Sequence, residues 1–380
     1  MNTCDAIAVF VRFAASEPAA PAASPLGRAA LQLGAEGARI VFCHPDTAIQ
    51  DADGQLLVTG QVAQGDRWQD VTGQRISAAY LRVSALAELR RLQPLAARLQ
   101  RAGVPLCNPL ALVSLCRDKL RWAQAARRAN LPFPESVVGV ETMEQALHQW
   151  GGGFLKPRLG AGGRDVVRIR LLGGGVRVEQ AGPALELSQD ELTSWLHARQ
   201  AREPQLLQHE VTVAPGPWQG LSIRSLAQRN PSGHWITTTP VVRWCRDGIA
   251  GNVSRGAQVT PLEHFVHPIG GRSGGALCDS VARLDQRVTD AVDAELGPTA
   301  PLAVEIGIDY VPDEQGRLHG IEVNDTPQGR LALAAAGADP RLEAAHQAAL
   351  RRPLDYLLAA PPQLGAACRH LSLSPAPSTP

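Results

Sequence analysis

Asp309, Glu322 and Asn324 are the residues whose types and spacing point most directly to chemistry in this chain. Val304, Ile306, Ile308 and Tyr310 alternate with Glu305, Gly307 and Asp309, the period-two pattern of a strand buried on one face. Glu305 and Asp309 therefore share the opposite face. Further on, Ile321 and Val323 point one way while Glu322 and Asn324 point the other, and Pro312-Asp313-Glu314-Gln315-Gly316 between the two segments has turn chemistry. Folded as a hairpin, the two segments converge Asp309, Glu322 and Asn324. Two carboxylates and an amide oxygen are hard donors suited to Mg2+, an ion that keeps some of its waters and takes remaining oxygens from nucleotide phosphates.

A second candidate is the run from Phe154 to Val166. It reads as a strand ending near Lys156, a turn carrying Gly160, Gly162 and Gly163, and a second strand. Glycines let the backbone approach phosphate oxygens and aim N–H groups at them, and the lysine adds positive charge. The same pattern fits a β-hairpin with a flexible tip equally well, and its spacing is not that of a Walker A loop. In Gln205 to Val211, edge backbone groups together with Glu210 are able to read an adenine amino group and ribose hydroxyls. Taken alone, an acidic residue ending a strand is more often just solvated. His209 and His234 read as ordinary strand histidines rather than ligands.

A chain of 380 residues exceeds the usual size of one domain, so two or three domains with substantial cores are expected to position these groups. Lys+Arg 37 against Asp+Glu 36 leaves a net charge of +1. With no basic block interleaved with aromatics, nucleic acid is not expected as a partner. The longest early apolar run, Ala6 to Val11, is too short to span a bilayer and lacks the features of a signal peptide. The expectation is a cytoplasmic protein with no membrane partner. Seven scattered cysteines without a CxxC pair read as reduced core thiols. Ala6 to Phe13, a helix from Pro25 to Gly34, and strands at Ala38 to Cys43 and Ala79 to Val83 suggest a parallel-sheet domain. Ser188-Gln189-Asp190-Glu191 is a capping box. Gln205 to Val213, Leu221 to Arg229 and Trp235 to Arg246 read as long antiparallel strands, and Leu277, Val281, Leu284, Val288, Val292 and Leu296 mark a helix packed on them. The Pro/Ser/Ala-rich tail from Pro361 reads as disordered.

The order of these pieces carries a resemblance. Asn108-Pro109 leading to Arg117-Asp118-Lys119-Leu120 is followed by Lys156 with its glycine turn, and then by Gln208-His209-Glu210. Next come Ile223-Arg224, Asn252-Val253-Ser254-Arg255-Gly256, Asp309 and Ile321-Glu322-Val323-Asn324. Over roughly residues 105 to 335 this resembles the ATP-grasp superfamily. Glu305-Ile306-Gly307-Ile308-Asp309, the run from Ile321 to Pro327, and the stretch from Trp68 to Val83 look most like its YheC/YheD branch. The chain is also similar to glutathione synthetase and the ribosomal-protein glutamate ligases. Two positions depart from the pattern: Ser222 stands where an aspartate often precedes Ile-Arg, and Ala250 replaces a common arginine.

The resemblance implies an α/β (α+β) chain with the ATP-grasp fold. It would comprise an N-terminal parallel-sheet domain over 1–107, a linker helix and small mixed lid over 108–206, a C-terminal antiparallel-sheet subdomain with the metal site over 207–358, and a disordered tail over 359–380. It implies that Lys119 and Lys156 hold ATP phosphates, that Gly160, Gly162 and Gly163 form a lid over them, and that Gln208, Glu210 and Val211 line the adenine and ribose pocket. Asp309, Glu322 and Asn324 would bind two Mg2+, with Mn2+ as a substitute, and Arg224, Arg255 and Arg243 would face the reacting carboxylate and γ-phosphate. The implied activity is an ATP-dependent carboxylate–amine ligase working through an acylphosphate on small-molecule or peptide substrates, a reading compatible with a homodimer. The alternatives are a degenerate ATP-grasp binding or assembly protein of the coat type, and a small-molecule kinase.

Overall fold

The computed structural model describes residues 5–11, 24–83, 89–160, 165–180, 182–213, 219–245, 258–327 and 339–371. Among them the strands form three sheets. The first is built from β1 (Ala6–Phe10), β2 (Ile40–Cys43), β3 (Ile49–Gln50), β4 (Leu56–Gln64), β5 (Arg67–Leu81) and β6 (Leu106–Cys107), in the order β3-β4-β2-β1-β5-β6. Helix α1 (Pro25–Ala35) opens with Pro25 after Ser24, whose hydroxyl accepts from the Gly27 N–H at 2.9 Å, a standard N-cap. Helix α2 (Leu89–Arg101) precedes β6.

This sheet is mixed, not parallel as the sequence suggested. β1 pairs in parallel with β2 and β5, and β5 with β6, but β4 runs antiparallel to β2, β3 and β5. The cause is local: Gln64 pairs with Arg67 across the two residues Gly65 and Asp66, with Gly65 at φ 61°, and so short a connection can only join antiparallel neighbours.

Helices α3 (Leu110–Arg117) and α4 (Lys119–Arg128) lead to the second sheet, which begins with β7 (Ser136–Val137) and α5 (Val140–Trp150). It continues with β8 (Gly152–Pro157), β9 (Val167–Leu172), β10 (Gly175–Glu179), β11 (Leu185–Leu187), α6 (Gln189–Arg202) and β12 (Gln205–His209), in the order β11-β10-β9-β8-β12-β7. Leu155, Val167, Ile169 and Val176 of its strands pack with Leu147 and Leu192 of α5 and α6. The capping box expected at Ser188 is present, the Ser188 N–H donating to Glu191 Oε2 at 2.8 Å and the Glu191 N–H to Ser188 Oγ at 3.3 Å. β12 ends at His209, short of the expected Val213, and pairs with β8 and β7 rather than with the strands that follow it.

The third sheet holds β13 (Gln219–Arg229), β14 (Trp235–Cys245), β15 (Gln258–Pro261), β16 (Glu305–Pro312) and β17 (Leu318–Asn324), ordered β15-β14-β13-β16-β17. Helix α7 (Gly274–Leu296) covers one face with the six apolar residues read from its periodicity, all buried. From the same helix Asp285 reaches under the sheet, accepting hydrogen bonds from Tyr310 Oη (2.6 Å), Thr237 Oγ1 (2.8 Å) and Ser225 Oγ. Burial raises its carboxyl to about 6 against those donors.

Helix α8 (Pro340–Ala359) packs on the sheet, and α9 (Pro361–Leu371) follows. The tail expected to be disordered from 359 is therefore helical through Leu371. Leu364, Ala367 and Cys368 are buried, and Leu364 and Ala367 join a core shared with β1, β2 and β6. Short apolar side chains suffice when the surface that receives them is already built. Residues 372–380 lie outside the described residues.

Candidate active site

Asp309 and Glu322 are direct cross-strand partners in the β16–β17 hairpin, and Gly307 is opposite Asn324. The converged set read from the alternation is thus assembled. The two carboxylates nonetheless sit in opposite environments. Asp309 Oδ1 accepts from Arg224 Nε (2.7 Å) and Arg243 Nη2 (2.5 Å), and Oδ2 from Arg224 Nη2 (2.6 Å) and Asn324 Nδ2 (3.3 Å). Four donors use the full accepting capacity of a carboxylate. Burial works against its charge, but the two guanidiniums outweigh burial and hold Asp309 below the usual carboxylate range. Arg243 also donates to Ser222 Oγ at 3.1 Å, so the serine found in place of an aspartate still meets an arginine.

Glu322 accepts no hydrogen bond among the described residues. Burial raises its pKa, and Asp309 adds to the rise against the opposing pull of Lys119, Lys156 and Arg224. It borders a cleft between β17, the α3–α4 segment and the β8–β12 pair, lined also by Lys119, Lys156, Gln208, Trp122 and Phe133. Lys156 Nζ donates to Gln208 Oε1 at 2.6 Å, and Lys119 Nζ to the Gly160 carbonyl at 2.9 Å. Burial lowers both ammonium groups, with Lys156 brought down to about 8 and kept from falling further by the charge of Glu322. A flat apolar wall is supplied by Phe133, edge-on to Trp122 at 5.5 Å between ring centroids. Gly320 makes this wall possible, because a Cβ there would run into the Phe133 ring, and its N–H donates to the Pro132 carbonyl at 2.9 Å.

Other expected residues fall elsewhere. Glu210 and Val211 do not line this cleft. Arg168 of β9 binds Glu210 with Nε at 2.9 Å and with Nη2, and Arg170 stands 3.7 Å away. Two guanidiniums from β9, one strand beyond β8, thus neutralise the carboxylate expected at the ribose. Gly162, Gly163 and Arg255 lie outside the described residues.

The donor chemistry suits a hard divalent cation. Glu322 faces a cleft with cationic walls, Asp309 and Asn324 lie beside it on the hairpin, and among the described residues Glu322 accepts no hydrogen bond, so its oxygens are open to a cation. Asp309 fits under one condition: a cation reaching it must displace at least one of its four donors.

Sequence reasoning missed a buried polar network beside the hairpin. Glu305 accepts from Tyr80 Oη at 2.5 Å, from Gln228 Nε2 at 3.1 Å and from Arg82 Nη1, while Arg82 Nη2 donates to the Pro327 carbonyl at 3.2 Å. Asn108 Nδ2 donates to the carbonyls of Glu305 (2.8 Å) and Asp325 (2.6 Å), and Arg117 pairs with both Asp325 oxygens at 2.9 and 3.0 Å. The available signal was the position of Glu305 on the same strand face as Asp309.

A sequence model of YheC/D-like ATP-grasp proteins matches residues 120–359. The chain belongs to the YheC/D-like ATP-grasp family. The endospore coat-associated protein YheC of Bacillus subtilis (strain 168) is 24% identical over 215 residues, 53% of this chain and 56% of that protein, so the match spans little more than half of the relative's length. Among solved structures, the D-alanine–D-alanine ligase of Bacillus anthracis complexed with ATP superposes with a TM-score of 0.55 at 14% identity, covering 95% of this chain and 98% of the ligase. The ATP-grasp ligase PsnB, complexed with a phosphomimetic variant of its minimal precursor, Mg and ADP, gives 0.53 at 14% identity, with 93% and 100% covered. At such identities the likeness is one of fold, and it covers the mixed N-terminal sheet as well. Among the described residues no helix is long and apolar enough to cross a membrane.

Proposed function

We propose that this ATP-grasp protein is an ATP- and Mg2+-dependent ligase that joins a carboxylate to an amine. The observation that carries the reading is the cleft, where Lys119, Lys156 and Glu322 meet beside the Asp309–Arg224–Arg243 cluster. Lys119 and Lys156 would neutralise nucleotide phosphates, Gln208 would lie along the base, and Phe133 would stack or abut it. Asp309, Glu322 and Asn324 would hold Mg2+, one or two ions with Mn2+ as a substitute, which when bound offsets the charge of the phosphate oxygens. Arg224 and Arg243, with Arg255, would balance the negative charge brought together when two anions react. In the first half of the reaction a substrate carboxylate oxygen bonds to the γ-phosphorus and ADP leaves, giving an acylphosphate. In the second, the amine nitrogen bonds to the acyl carbon, inorganic phosphate departs and the nitrogen loses a proton. Closure of the glycine turn would keep water from the acylphosphate. Small-molecule or peptide substrates are expected.

The test is a matrix of carboxylates against amines, scored by ADP release and by product mass. Sustained ADP release only with both partners, and an amide product, supports the ligase. Phosphorylated product from a single acceptor makes the protein a kinase. A second reading, a binding or assembly protein, is favoured by the saturation of Asp309 with arginine donors and by the coat-associated relative. ATP binding without ADP release in any combination selects it.

A further inference from the structure

Arg117, Asp118 and Lys119 are consecutive, and each fastens a different part of the site. Arg117, at the end of α3, grips Asp325, the residue after Asn324. Asp118 accepts from Arg158 Nε at 2.8 Å and Nη2 at 2.7 Å, two residues beyond Lys156 where β8 runs out. Lys119 donates from its backbone N–H to the Arg158 carbonyl at 3.0 Å and from Nζ to the Gly160 carbonyl, and Asp118 forms a β-bridge with Leu159. The α3–α4 junction is therefore tied to the exit of the hairpin by one residue, and to residues 158–160 after β8 by the next two.

Asp118 also caps α4, its Oδ1 accepting from the Leu120 N–H at 3.1 Å and the Arg121 N–H at 3.3 Å. A capping role alone needs only a side-chain oxygen. The bidentate pair with Arg158 needs a carboxylate.

We propose that Asp118 is a positioning residue for nucleotide binding, and that the Asp118–Arg158 pair holds the end of β8 at the distance from the β16–β17 hairpin that brings Lys119 and Lys156 to one cleft. This rests on the nucleotide reading of the site. Neither side chain of the pair lines the cleft, so the pair acts through the lysines.

Asparagine caps helices as well as aspartate does, so Asp118→Asn separates the two roles. On the full chain, calorimetric titration with ATP and Mg2+ is expected to show affinity lowered about tenfold in Asp118→Asn and in Arg158→Ala, a loss suited to one charge-assisted pair. The thermal midpoint of Asp118→Asn should stay near that of the unsubstituted chain. Arg158→Lys should recover part of the affinity, and the double variant Asp118→Asn/Arg158→Ala should bind no worse than either single one. Unchanged affinity in Asp118→Asn and Arg158→Ala overturns the proposal, as does full additivity in the double variant. Absence of ATP binding by the unsubstituted chain overturns the nucleotide reading and this inference with it, a result distinct from binding that the variants leave intact.

Discussion

The two strands of the β16–β17 hairpin present the same functional group in opposite states. β16 is flanked by β13 and β17 and is buried along almost its whole length, so Asp309 is reached from the β13–β14 side by Arg224 and Arg243. Among the described residues β17 is the edge of the sheet, and Glu322 faces the cleft without a donor. Place in the sheet, rather than residue type, decides the outcome. Asp309 is held below the normal carboxylate range by its arginines and Glu322 is pushed above it by burial. The inner carboxylate is saturated by protein donors, and the outer one accepts no hydrogen bond among the described residues.

The largest expected effect falls on turnover. Glu322→Gln should reduce ADP formation by at least about a hundredfold, the scale of losing a group that acts on developing charge, and turnover like that of the unsubstituted enzyme would end the metal assignment. The same substitution should leave the thermal midpoint unchanged or raise it, because it removes a charge that the fold disfavours. Asp309→Asn should do the reverse to stability, costing about 3–5 kcal/mol in chemical denaturation by leaving buried guanidiniums without their counter-ion. If the two variants unfold alike, the contrast between the strands is wrong.

Lys156→Ala should weaken ATP binding about tenfold or more by calorimetry, with an unchanged affinity detaching the β8 side of the cleft from the nucleotide. A smaller and graded effect is expected with pH. Since the pKa of Glu322 is raised in the fold and that of Asp309 is lowered, Glu322 takes up a proton before Asp309 as pH falls. The loss of activity on the acid side should therefore follow Glu322, setting in at higher pH than an ordinary glutamate would dictate. In stability the signs differ. Asp309, lowered in the fold, contributes stability that is present above the ordinary aspartate pKa and is lost as pH falls through its folded value. Glu322, raised, costs stability as pH rises through the interval between its unfolded and folded values. An acid limb that persists in Glu322→Gln, measured on any residual activity, would assign the titration to another group.

Much of this was legible in the chain. Alternation in Val304 to Tyr310 and Leu318 to Asn324 placed the hairpin, because period two is a local property of a strand. The spacing of apolar residues from Leu277 to Leu296 placed α7 for the same reason. What local pattern could not supply is which charge meets which. Arg168 with Glu210, Arg82 with Glu305 and Arg117 with Asp325 are contacts 42, 223 and 208 residues apart, and only the packed sheets bring them together. α9 was misread because its composition resembles a linker, while its helix depends on a receiving surface made by β1, β2 and β6.

The network around Glu305 also bears on where this molecule can be divided. The family match begins at Leu120, yet Tyr80, Arg82, Asn108 and Arg117, which satisfy the buried Glu305 and Asp325, all precede it. A fragment starting there would keep both carboxylates and lose their arginines, each at a cost of several kcal/mol. The region that a family shares in sequence is here smaller than the set of residues that satisfies its buried charges, so a fragment beginning before β5 is expected to be more stable than one beginning at Leu120.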